Sequence, residues 1–247
     1  MQIWGLTDPG NIRQQNQDTY EIVSFGHDRA LMIVCDGMGG AKSGNIASSM
    51  AAETFVAEVR RCQKLATGTE RVISILKGAL ELANQAVYEH SGLSDDYSGM
   101  GTTLVAAFLL RNTAVVINVG DSRAYHFSQQ GVRQLSCDHS VVELMVQRGE
   151  LTREQAKNYP GKNLITRAMG VSAAALAEYT ACPVKAGDIL LICTDGLSNT
   201  LPLQTMQEIL RKTQFFDMAD RLVEQALQEG AQDNITALLI GIEPTEA

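Results

Sequence analysis

Five short apolar runs, each brief and rich in β-branched residues, limit what this chain can become. Ala30 to Cys35, Leu104 to Leu110, Ala114 to Val119, Asp188 to Cys193 and Thr236 to Ile242 read as buried strands. The polar link Arg111-Asn112-Thr113 suits a hairpin, and His126 to Gly131 followed by Val132 suits a second. Links this short favour antiparallel neighbours. Two longer segments, Ser43 to Gln63 and Glu70 to His90, place apolar residues such as Ile73, Leu76, Leu80, Ala83 and Val87 at helical spacing, with Thr69 as the expected N-cap of the second. Leu203 to Arg211 and Asp217 to Gln228 form a third helical zone before the last strand. The prediction is an α+β fold: two antiparallel β-sheets packed face to face with helices outside.

With no repeat, low-complexity tract or Pro/Gly-rich linker, residues 1–247 are expected to form one domain. Ser140 to Leu164 stands apart as a polar excursion with two short helical pieces, Val141 to Gln147 and Thr152 to Lys157, and a breaker cluster Tyr159-Pro160-Gly161. A formal charge of -8 argues against a protein that holds nucleic acid through bulk positive charge. The five cysteines, Cys35, Cys62, Cys137, Cys182 and Cys193, are odd in number, lack a C-x-x-C pair and read as reduced core thiols. No basic stretch leads into an apolar one at the N-terminus, and no apolar run approaches the roughly 20 residues that span a bilayer. A cytoplasmic protein without membrane contact is expected.

Apolar strands run directly into aspartates followed by small residues: Cys35-Asp36-Gly37, Gly120-Asp121-Ser122 and Thr194-Asp195-Gly196, with Asp233-Asn234 just before the last strand. Any one of these could cap a turn. Together on one edge they would repel strongly unless protons or cations neutralise them. All-oxygen ligands suit Mg2+ or Mn2+, whereas four histidines with no Cys/His pairing give zinc little support. A pair of such cations acidifies a water for phosphate ester hydrolysis. Arg13, upstream of Asn16-Gln17-Asp18, is the candidate phosphate clamp because a guanidinium grips phosphate oxygens at two points. Asp18 is a candidate to accept hydrogen bonds from cation-bound water.

Arg13 to Asp18 (RQQNQD), Asp36 to Gly40 (DGMGG), Gly101 to Thr103 (GTT), Val119 to Tyr125 (VGDSRAY), Asp138 to Ser140 (DHS), Ile165 to Gly170 (ITRAMG), Thr194 to Asn199 (TDGLSN) and Asp233 to Thr236 (DNIT) together resemble the ordered motif series of the PP2C-type (PPM family) metal-dependent serine/threonine protein phosphatases. Each is weak alone; in this order they are specific and cover nearly the whole chain. The resemblance implies a four-layer αββα sandwich with a flap subdomain at about 140–164, single-domain bacterial type, acting as a monomer on phosphorylated proteins. It implies two Mn2+ or Mg2+ ions held by Asp36, Asp195, Asp233 and the Gly37 carbonyl, with Asp36 bridging and Asp18 acting through water. It also implies a third ion at Asp121, shared with Asp195.

Two positions depart from the pattern. Met38 stands where many members carry a histidine proposed as general acid, and Met has no proton to donate. Tyr159 precedes Pro160 where relatives often show histidine. The Met38 departure motivates the alternative of a catalytically weak pseudophosphatase acting as a regulatory binding module. Asn234 is expected only as a hydrogen-bonding neighbour of Asp233, Arg123 and Arg167 as structural ion pairs, and His139 as an anchor for the excursion.

Overall fold

Strand β3 (Arg29–Met38) explains why the apolar runs lack polar alternation. Ala30, Met32 and Val34 point between two sheets, while Leu31, Ile33 and Cys35 point into a helix pair. A strand covered on both faces reads as a continuous apolar run. Strands β10 (Ile189–Cys193) and β11 (Ile235–Gly241) repeat the pattern: Leu190, Ile192, Leu238 and Ile240 face the sandwich interior, and Leu191, Cys193, Ala237 and Leu239 face helices.

The computed structural model describes residues 1–39 and 43–243, so Gly40 of the Asp36 motif lies outside the described residues. One sheet joins β1 (Gln2–Asp8), β11, β10, β7 (Arg123–Ser128) and β8 (Gly131–Gln134), in that order. The other joins β2 (Asp18–Ser24), β3, β5 (Leu104–Leu110), β6 (Thr113–Val119) and β9 (Glu178–Pro183), with β4 (Gly101–Thr102) paired to the end of β3. Every pairing is antiparallel. Helices α1 (Gly44–Cys62) and α2 (Thr69–Ser91) cover the second sheet. Between β8 and β9 lie α3 (Val141–Gln147) and α4 (Arg153–Lys157). A single turn α5 (Asp195–Ser198) follows β10, and α6 (Leu203–Lys212) and α7 (Met218–Gln228) cover the first sheet. The layers are α, β, β, α, as expected.

Three details differ from the sequence expectation. Thr69 is the first helical residue and extended Gly68 precedes it as N-cap, with no side-chain cap bond. Cys35, Cys182 and Cys193 are buried, but Cys62 and Cys137 are only half-buried; all five thiols are free. Strands β1, β2 and β9 join the sheets although no apolar run announces them. Among the described residues no helix is long and apolar enough to cross a membrane.

Candidate active site

Antiparallel order brings the aspartates together. Strand β2 begins at Asp18 and pairs it directly with Asp36 near the end of β3. Strand β10 ends at Cys193, two residues before Asp195, and its partner β11 begins two residues after Asp233. Asp121 lies in the turn that carries the chain from β6 in one sheet to β7 in the other. Each side chain thus occupies one end of the sandwich because its strand starts or stops there.

Close backbone contacts hold these turns. The Gly37 N–H donates to the Gln17 carbonyl at 3.1 Å. A Cβ on Gly37 would collide with the Gly44 carbonyl at the start of α1, and one on Gly196 with the Asn234 carbonyl, so no larger residue fits either place. Asp36 is pinned through its backbone. Its N–H donates to Thr103 Oγ1 at 3.0 Å, and its carbonyl accepts from the Thr102 hydroxyl at 2.8 Å and the Thr103 N–H at 2.9 Å. Thr103 Oγ1 also lies 2.7 Å from the Ser122 hydroxyl, linking the Asp36 turn to the Asp121 turn.

The carboxylates share a repulsive field. Burial, then the charges of Asp18, Asp195, Asp121 and Asp233, push Asp36 well above the ordinary carboxyl range. Burial, with Asp195 and Asp138 beside it, raises Asp121 to about 7. Burial and Asp233 raise Asp195 to about 6. Asp18 is raised to about 7, mainly by burial, although hydroxyls of Thr236 and Thr194 pull the other way. Arg13 answers part of this charge. Its Nη2 pairs with Asp233 Oδ2 at 2.8 Å, and this bond, reinforced by the fields of Asp36 and Asp195, raises the guanidinium pKa.

Asp233 is turned toward Arg13 and Asp18 toward two hydroxyls. Among the described residues no three His, Cys, Asp or Glu side chains form a closed metal cage. The donor set nevertheless suits a hard cation. It is built of oxygens, and Asp18 Oδ1 and Asp195 Oδ1 are buried without a hydrogen-bond partner among the described residues. Such carboxylate oxygens call for a proton or a cation.

Residues 12–240 match the model of the family described as Protein phosphatase 2C. The chain belongs to this family. The serine/threonine phosphatase stp of Listeria monocytogenes serotype 4b is 37% identical over 235 residues, which cover 95% of this chain and 93% of the relative. The serine/threonine phosphatase of S. agalactiae superposes with a TM-score of 0.86 at 33% identity, covering 98% of this chain and 99% of that one. The catalytic domain of the serine threonine protein phosphatase PstP, solved in complex with 2 manganese ions, superposes with a TM-score of 0.84 at 28% identity, covering 98% of each chain.

In this 2C phosphatase the supporting residues are those that sequence reasoning weighed least. Asn234 does more than neighbour Asp233. Its Oδ1 accepts the Gln17 N–H at 2.8 Å, and its Nδ2 donates to the Pro9 and Gln15 carbonyls at 2.9 and 3.0 Å, fastening the loop that carries Arg13. Arg123 grips Asp138 with Nε and Nη2 at 2.6 to 2.9 Å, and Arg167 Nη1 lies 3.7 Å from Glu178, so both are ion-paired as expected. His139 is buried: its Nδ1 accepts the Gly120 N–H at 3.0 Å, and its Nε2 lies 3.0 Å from Arg167 Nη1 and 3.4 Å from Glu178 Oε1. Thr103, Thr194 and Thr236 were missed. The available signal was their place beside the motif aspartates, where a strand period of two sets Asn234 and Thr236 on one face.

Proposed function

We propose that this phosphatase cleaves phosphoserine and phosphothreonine esters in proteins using two divalent cations, Mn2+ or Mg2+, held by Asp36, Asp195, Asp233 and the Gly37 carbonyl. The chain is a serine/threonine protein phosphatase by family and by relatives that match it over nearly its full length. The observation that carries the site is the meeting of five carboxylates from both sheets, two of them with buried oxygens that have no donor among the described residues. Bound there, the cations would supply Lewis acidity toward the phosphoryl oxygens and lower the pKa of a coordinated water.

The chain's own residues do the rest. Asp36 stands in the field of four other carboxylates, which suits a bridging ligand. Asp18 orients water through its free Oδ1. Asp121, beside Asp195, serves a third cation. Arg13 is about half exposed and exchanges its bond to Asp233 for the phosphoryl oxygens of the substrate. Met38 offers no proton, so leaving-group protonation falls to solvent in the cleft. Residues 140–164 form the flap of a single catalytic domain and read the phosphoprotein around the phosphate. Their ends are held by the Ser140–Ile165 bridge beside His139. Nothing favours the non-catalytic binding module, since every motif aspartate is retained and the relatives carry phosphatase names.

The test is hydrolysis of a phosphothreonine peptide and of p-nitrophenyl phosphate with Mn2+, Mg2+ or EDTA. Turnover that needs the cation and disappears in Asp36→Asn is expected. A folded, cation-loaded wild type that turns over neither substrate would sink the proposal.

A further inference from the structure

Asp18 is the start and the end of a closed circuit of hydrogen bonds. Its N–H donates to Asn16 Oδ1 at 3.1 Å, Asn16 Nδ2 donates to Thr7 Oγ1 at 2.9 Å, and Thr7 Oγ1 lies 2.7 Å from Thr236 Oγ1. The Thr236 hydroxyl then donates to Asp18 Oδ2 at 2.6 Å. The sense of every bond is fixed. The Asn16 amide cannot flip without setting its NH2 against the Asp18 N–H. Thr236 commits its only proton to the carboxylate, so Thr7 must donate to Thr236. A second buried hydroxyl, Thr194, donates to the same Oδ2 at 2.9 Å and accepts the Thr236 N–H at 3.0 Å. Oδ2 is thereby supplied twice, while Oδ1 has no donor among the described residues.

We propose that Thr236 and Thr194, with Thr7 and Asn16 behind them, are positioning residues that lock one oxygen of Asp18 to the scaffold so that the other is presented to the cation site. The proposal rests on the site reading above. The ring is asymmetric by construction: two hydroxyls, backed by Thr7 and Asn16, serve Oδ2, and among the described residues none serves Oδ1. Groups that orient a ligand from behind typically change cation affinity or activity by about 10–100-fold when removed.

The experiment is calorimetric titration of the cation-free full chain with Mn2+, alongside kcat and KM, for Thr236→Val, Thr236→Ser, Asp18→Asn and the Thr236→Val/Asp18→Asn pair. Thr236→Val should weaken Mn2+ binding and lower kcat by about tenfold with KM unchanged, and Thr236→Ser should retain both. In the Asp18→Asn background Thr236→Val should cost nothing more, because it acts through that carboxylate. Full additivity, or a serine variant as impaired as the valine one, overturns the proposal. If Thr236→Val does not fold, Thr194→Val and Thr7→Val carry the same comparison. Asp18→Asn indistinguishable from wild type would remove Asp18 from the site and overturn the ring, whereas absence of cation-dependent turnover in wild type would overturn the site reading itself. Asp18→Asn impaired with Thr236→Val intact overturns the ring alone.

Discussion

Strand β10 is bracketed by two aspartates with opposite surroundings. Asp188, just before the strand, is buried, and its Oδ2 accepts from His126 Nε2 at 2.8 Å and from the Lys185 N–H at 2.9 Å. Asp195, just after it, takes one amide proton from Asn199 at 3.1 Å, leaves Oδ1 buried without a donor among the described residues, and has Asp233 as its foremost neighbouring charge. The residue type is the same; the supply of donors differs. A carboxylate with its donors in place belongs to the scaffold, whereas a group of them denied donors has a cation as its remaining partner.

The comparison breaks most readily at Asp36. Asp36→Asn is expected to cut cation-dependent turnover by more than about 100-fold, beyond what groups behind a ligand contribute. It should also raise the melting temperature of the cation-free protein, because one repelling charge is gone. Parallel kinetics and calorimetry check both. An intermediate effect belongs to Arg13, whose replacement by alanine should raise KM about tenfold, the scale of one charged hydrogen bond, while changing kcat less.

At the opposite end of β10 the expected signs reverse. Asp188→Asn should leave Mn2+ affinity and kcat as in wild type while costing about 1–3 kcal/mol of stability through His126 and the Lys185 amide. That is a fall of about 2–4 °C per kcal/mol in a thermal melt. Loss of cation affinity in this variant would abolish the contrast. The smallest effect is the pH dependence of the cation-free protein. Asp195 near 6 and Asp18 and Asp121 near 7 bind more protons folded than unfolded, so their contribution falls as pH rises from about 4 to about 7. Melting in EDTA at pH 5 and pH 8 should show the lower value at pH 8, with Mn2+ restoring it. A melting temperature that climbs over this interval would show that the cluster does not govern the trend.

What could be read from the residues followed burial. Strands β3, β5, β6, β10 and β11 are covered on both faces and announce themselves as apolar runs. Strand β1 is an edge strand whose Trp4 is exposed, β9 is an edge strand with only Cys182 buried, and β2 is mostly half-covered, so none carries the signal. Asp36, Asp121, Asp195 and Asp233 stood out because each follows or precedes such a run. Thr103, Thr194, Thr236 and the bridging role of Asn234 did not, because their meaning lies in partners distant in sequence, as with Thr236 and Asp18 at a separation of 218 residues. No local pattern encodes which distant oxygen a hydroxyl will meet.

The pairing of β1 with β11 sets Thr7 against Thr236, and this contact has a bearing on the order of synthesis. A ribosome delivers Asp18 and Asp36 well before Asp233 and Thr236, with Thr236 standing 218 residues after Asp18. Domains fold as units once their sequence has emerged. A nascent chain therefore carries no complete centre until β11 has emerged and closed against β1.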